Sequence, residues 1–186
     1  MTIRVVTDSN CDLPPDLVKE HGIAVVPLHI NVGRESYLDG VEMSRQQFYE
    51  GLPSFKTHPT TSVPSPGEFY QVYRRLADEG ADQILSIHIS VALSAVVNSA
   101  RLAAEELPDL PVTVYDSGNL TLGTGFQVLA AAHAAGIGRH PVGKDPEEHQ
   151  AGLPRVCGAH QRLYPLVPQE KGLSQCVAWR HSIDCE

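Results

Sequence analysis

Short β-branched runs alternate along most of this chain with stretches whose apolar residues recur every three or four positions. Ile3-Arg4-Val5-Val6-Thr7 predicts a strand ending in Asp8-Ser9. Asp12 and Pro14 then open a short helix over 13–21, and Gly22 stops it. The mostly apolar run 23–32 predicts one second strand. Ser44 caps a helix over 44–52. A longer helix over 66–79 carries Phe69, Val72, Tyr73 and Leu76 on one face and ends at Gly80. Strands over 83–89 and 112–115 flank a helix over 93–107, and the second of them ends in Asp116-Ser117. A last helix covers 120–135, closed by Gly136. Strands alternating with helices of this length predict an α/β fold: a parallel sheet flanked by helices on both faces. Ligands of such sheets bind at the carboxyl ends of the strands.

The pattern stops near Gly136. Beyond it prolines and glycines recur without a stripe of either period. Charge changes at the same point: residues 1–136 hold 16 acidic and 8 basic side chains, whereas 137–186 hold 6 of each. The expected division is an ordered unit, 1–136, and an irregular tail, 137–186. A net charge of -8 without a basic stripe argues against a nucleic-acid partner. No run is long and apolar enough to span a bilayer, and the N-terminus lacks the layout of a signal peptide, so a cytoplasmic protein without an integral membrane segment is expected. Cys11 stands far from Cys157, Cys176 and Cys185, which is no secreted disulfide framework. Cys157 and His160, with Cys176, His181 and Cys185, match no common zinc knuckle. No metal and no cofactor is expected, and the tail cysteines are expected to be unpaired.

Chemistry concentrates in two hydroxyl-rich turns. Thr60-Thr61-Ser62 precedes Ser65, an N-cap with Glu68 at capping-box spacing. Unpaired N–H groups and the positive dipole end at a helix start, with hydroxyls beside them, favour an anion. An ordinary capped helix after a polar loop accounts for the same residues. The stretch from His88-Ile89-Ser90 to Leu93-Ser94 again leads hydroxyls into a helix. Neither turn holds a lysine or arginine, and no G-x-x-x-x-G-K-[ST] or G-x-G-x-x-G cradle occurs, so a singly charged headgroup fits better than a polyphosphate. Asp8 and Asp116 offer an alternative, a phosphatase or hydrolase of the α/β class. Against it, Asp8-Ser9-Asn10 lacks a second aspartate to share a metal, and turn capping explains both residues. There is no G-x-S-x-G elbow, and Cys11 has no histidine at recognisable spacing. His88, inside an apolar strand, reads as a packed, hydrogen-bonded histidine. Gly123 and Gly125 cost their helix about 1 kcal/mol each against alanine, which points to a close approach of another backbone or a ligand, or to tight packing.

Several motifs together resemble the DegV family. They are Thr7-Asp8-Ser9 through Cys11-Asp12-Leu13-Pro14, Val26-Pro27-Leu28, Tyr37-x-Asp39-Gly40, Pro59-Thr60-Thr61-Ser62-x-Pro64-Ser65-Pro66-Gly67, His88-Ile89-Ser90, Leu93-Ser94 and Val114-x-Asp116-Ser117. They run in order over 2–135. The resemblance implies a two-domain α/β protein that binds one long-chain fatty acid and is not an enzyme. In bacterial members it further implies presentation of that fatty acid to a fatty-acid kinase. The carboxylate is then held by hydroxyls of the two turns, here Thr61, Ser62 and Ser94 with Ser90 beside them, and the acyl chain lies in an apolar tunnel. Val91, Ala95 and Val96 depart from the family's Ser, Gly and Thr, which removes two hydroxyls near that site. The family's second domain has no counterpart in the pattern after Gly136, and the tail 137–186 is expected to be unrelated to the family. Residues 163–172, back-translated and read one nucleotide later, permit Thr-Leu-Trp-Tyr-Leu-Lys-Lys-Arg, similar to a run the family carries before that domain. A frameshifted or truncated product is the expectation, either impaired in binding or a non-functional fragment.

Overall fold

Residues 2–136 are described by the computed structural model. The expectations for 137–186, including irregularity, unpaired cysteines and no zinc, lie outside the described residues. In chain order the elements are β1 (Ile3–Asp8), α1 (Pro15–Glu20), β2 (Ala24–Val26), β3 (His29–Val32), β4 (Glu35–Leu38), α2 (Arg45–Gly51), β5 (Thr60–Ser62), α3 (Pro66–Asp78), β6 (Gln83–His88), α4 (Val96–Glu105), β7 (Val112–Asp116) and α5 (Leu122–Gly136). Four strands form a parallel sheet in the order β2-β1-β6-β7.

Side-chain alternation along the central strands sets the layers. Val6 and Ile84 face a core made with Phe69, Tyr73 and Leu76 of α3 and Val96, Ala100 and Ala103 of α4. Val5, Leu85 and Ile87 point the other way, onto Val128, Ala131 and Ala132 of α5, with Val18 of α1 at the margin. Helices therefore cover both faces of the sheet. Burying side chains the size of Phe69 and Leu76 contributes about 1.5–3 kcal/mol each, so α3 is held chiefly by this face. Its start is set by Ser65 and Glu68, which form a reciprocal capping box. Ser44 and Gln47 form another at α2.

The run 23–32 is not one strand. It breaks at Pro27, which has no N–H to give to a ladder, and the next amide, Leu28 N, donates instead to Ser9 Oγ (3.1 Å). The chain then leaves the parallel sheet for a small antiparallel one, ordered β4-β3-β5. In it Ile30 pairs with Tyr37 on one side and Thr61 on the other. β4 and β5 are strands where the sequence pattern assigned no element. Likewise α4 begins at Val96, not Leu93, because Leu93 N and Ser94 N both turn back to Ser90 O (2.9 and 3.1 Å). Gly125 marks a close approach: a Cβ there would lie 2.4 Å from Cys11 O and 2.9 Å from Leu13 Cδ2.

Candidate functional site

The strand order reverses between β1 and β6, since β1 continues to β2 on one side while β6 continues to β7 on the other. Open parallel sheets bind their ligands at such a reversal, outside the carboxyl ends of the strands. Asp8 ends β1 there and His88 ends β6. Both are fully buried. Asp8 Oδ2 lies 3.0 Å from His88 Nδ1 and accepts from Ile89 N (3.1 Å), while Oδ1 accepts from Asn10 N (3.0 Å). On its other side His88 Nε2 lies 2.7 Å from Ser86 Oγ, which accepts from the Tyr73 hydroxyl (2.8 Å). Phe69 packs edge-on against the imidazole.

Strand parity explains this cluster. Asp8 shares the face of Val6, and Ser86 and His88 share the face of Ile84, so all three point toward α3, which supplies Tyr73. Burial pushes the Tyr73 hydroxyl well above the ordinary tyrosine range, only partly offset by Ser86. Thr7 points to the opposite face, where its side chain meets the buried Cys11. Burial raises the Cys11 thiol pKa, against a backbone hydrogen bond at Leu13 that lowers it.

Ser86, His88 and Asp8 have the spacing of a nucleophile, base and orienting acid. They lack the access. All three are fully buried and Ser86 Oγ is already covered by Tyr73, so no substrate reaches them in this conformation. Asp8 caps the turn after β1, as a turn aspartate should, and His88 is a packed, hydrogen-bonded histidine. Asp116 caps likewise, its Oδ1 accepting from Gly118 N (2.9 Å) and Val91 N (3.3 Å).

The turn after β6 is tied down amide by amide. Ile89 N goes to Asp8, Ser90 N to Asn119 O (2.9 Å) and Val91 N to Asp116. Ala92 N goes to Ser90 Oγ (3.3 Å), and the amides of Leu93 and Ser94 to Ser90 O. All six N–H groups of 89–94 are thus used within the fold. No amide of this turn is left for a ligand, and of its two serines only Ser94 is partly exposed, since Ser90 Oγ accepts from Ala92 N. Ser90 is buried and Ser94 half-buried, four residues apart in one turn.

The other predicted residues stand differently. Thr61 and Ser62 are exposed and lie on β5, which ends just ahead of the Ser65 cap of α3. Adjacent strand residues face opposite ways. Thr61 shares the face of Ile30, whereas Ser62 shares that of His29 and accepts from Asn31 Nδ2 (3.2 Å). On Ser62's side His29 Nε2 also meets the Glu68 carboxylate at 2.9 Å. A second carboxylate is less welcome on that face, which favours Thr61 over Ser62 as an anion contact. The helix-start grouping suggested by the sequence is therefore split by the pleat. The Asp8–His88–Ser86–Tyr73 chain was legible only as separate residues. The alternation of Ser86 and His88 with apolar neighbours in β6 was its one sequence signal.

Comparison with known proteins places the chain in a family. The family model described as "Uncharacterised protein, DegV family" matches residues 2–143. The chain is 42% identical over 165 residues to a DegV domain-containing protein of Deinococcus radiodurans, covering 89% of this chain and 54% of that protein. An alignment of that length passes Gly136. Among solved structures the chain is similar to a DegV family protein from Thermus thermophilus described for its fatty acid binding, at 39% identity and TM-score 0.68, over 89% of this chain and 54% of that one. It is also similar to DegV, a fatty acid binding protein from Bacillus subtilis, at 33% identity and TM-score 0.72, over 79% of this chain and 50% of that one. The chain spans about half the length of these relatives. Among the described residues no helix is long and apolar enough to cross a membrane.

Proposed function

The chain belongs to the DegV family, and on that footing we propose that it binds a long-chain fatty acid through Thr61 and Ser94. Ser90 shapes the Ser94 turn, and Ser62 braces β5 through Asn31. The observation that carries this reading is the full internal use of the amides of 89–94 in a turn without lysine or arginine. Such a turn offers neutral hydroxyl donors, which suit a monoanionic carboxylate better than a phosphate. The described relatives from Thermus thermophilus and Bacillus subtilis, both named for fatty acid binding, support the same ligand. Each hydrogen bond to a carboxylate contributes about 1.5–3 kcal/mol, and each buried methylene about 0.8 kcal/mol. The acyl tail therefore dominates affinity while the hydroxyls set orientation and headgroup choice. The reading makes the chain a carrier without catalysis of its own, in the cytoplasm, whose partner is a fatty-acid kinase acting on the held carboxylate.

Native mass spectrometry of the chain expressed in bacteria tests it. A co-purifying fatty acid, or uptake of added palmitate, is expected. Thr61→Val and Ser94→Ala each remove one donor and little volume, and should weaken palmitate binding about tenfold with an unchanged melting temperature. A chain that stays empty and takes up no palmitate overturns the reading. Binding unaltered in both variants rejects these two residues as the headgroup site.

A further inference from the structure

We infer that Asp8 is a positioning residue for the headgroup turn, and that His88, Ser86 and Tyr73 form the buried chain that keeps its carboxylate aimed. This rests on the fatty-acid reading above and names how that site is held. An ionised carboxylate only accepts hydrogen bonds, so the His88 proton facing Asp8 sits on Nδ1. Nε2 of that tautomer accepts, which makes the Ser86 hydroxyl its donor, and leaves Ser86 Oγ to accept from Tyr73. Every bond then points the same way, from Tyr73 through Ser86 and His88 to Asp8. No member has solvent to turn to, because all four are fully buried. One orientation of the imidazole satisfies the whole chain.

Asp8 converts that fixed orientation into a position for the turn. Its Oδ2 takes His88 and Ile89 N together, and its Oδ1 takes Asn10 N, so one carboxylate joins the turn after β1 to the first amide of 89–94. From Ile89 the turn runs to Ser90 and on to Ser94. Loosening the first amide frees the turn that carries the hydroxyls. The carboxylate is too buried to touch a ligand, so it acts through the turn.

The test separates headgroup positioning from general damage by comparing palmitate with hexadecanol, which share a tail and differ in charge. In Asp8→Asn palmitate affinity should fall about tenfold, while hexadecanol affinity changes by less than about twofold. The losses in Asp8→Asn and Ser94→Ala should be non-additive for palmitate, because both act on one contact. Amide exchange across 89–94 should quicken in Asp8→Asn without ligand. Should Asp8→Asn fail to fold, Ser86→Ala removes a single buried hydroxyl and should give the same palmitate-specific loss at smaller size. Equal losses for acid and alcohol, additive losses, or unchanged exchange across 89–94 overturn the positioning role. A wild-type chain that binds palmitate and weakens in Ser94→Ala, beside an Asp8→Asn that binds normally, overturns the role and leaves the fatty-acid reading standing. A wild-type chain that binds no palmitate overturns both.

Discussion

Gly125→Ala should destabilise the fold although alanine is the better helix former. Gly125 is buried in α5, where the helix crosses the turn that follows β1. A Cβ there would sit 2.4 Å from Cys11 O, against an ordinary contact of at least 3.4 Å, a shortfall of roughly 1 Å against backbone. The neighbouring Leu13 Cδ2, at 2.9 Å, leaves no room on that side. Moving α5 outward would loosen Val128, Ala131 and Ala132 from the sheet. Overpacking of this kind costs about 1–3 kcal/mol, with more where backbone must give. Alanine's helical advantage offsets about 1 kcal/mol. Because the obstructing atom is backbone, the upper part of that range, about 2–3 kcal/mol, applies, and the net expectation is a loss of about 1–2 kcal/mol, at about 2–4 °C of melting temperature per kcal/mol for a chain of this size. Urea and thermal melts followed by circular dichroism read it directly. Gly67→Ala is the control, because its nearest neighbour is Ser65 Oγ at 3.9 Å. If Gly125→Ala melts at or above the wild type, the close approach is not a packing constraint and the reasoning fails.

Other expectations follow from single groups. Burial raises the Glu68 carboxyl, but the Ser65 hydroxyl and amide and the His29 ring outweigh it and hold the group below the ordinary glutamate value. A lowered folded value stabilises above the unfolded one and is lost on acidification. The stability advantage of wild type over Glu68→Gln should therefore vanish as pH falls below about 4.3, and an advantage that persists in acid refutes the assignment. Cys11, buried and with its thiol pKa raised, should resist alkylation in the folded chain and react on unfolding, as peptide mapping would show. Prompt labelling of Cys11 under native conditions contradicts its burial.

Strong period carried through from sequence to fold, and weak period did not. β1, β6 and α3 were legible because each buries a full face against a layer, and β7 because Val112 and Val114 pack, partly buried, on the same core. β4 and β5 were not, since Glu35, Ser36 and Thr60 to Ser62 are exposed and give no alternation to read. The run 23–32 misled because its apolar residues continue across Pro27 into a different sheet. At the site, Ser65 with Glu68 announced the start of α3, but nothing local told that Thr61 and Ser62 would point apart. The Asp8–His88 bond joins residues 80 positions apart, a pairing that only the sheet order creates.

That seam also orders the folding of the chain. β1-α1-β2 and β6-α4-β7 are local units, whereas β1 must find β6 across the small sheet and α3. Closure entropy for such a span comes due before any contact rewards it. Until β6 arrives, the Asp8 carboxylate has Asn10 N of its own turn and no His88 or Ile89. A nascent chain therefore carries this carboxylate in water until residue 89 has left the ribosome. The buried chain of hydroxyl, imidazole and carboxylate should close after the rate-limiting step, so Ser86→Ala should speed unfolding and leave the folding rate unchanged in stopped-flow experiments. A slowed folding arm would instead put the β1–β6 seam inside the folding nucleus.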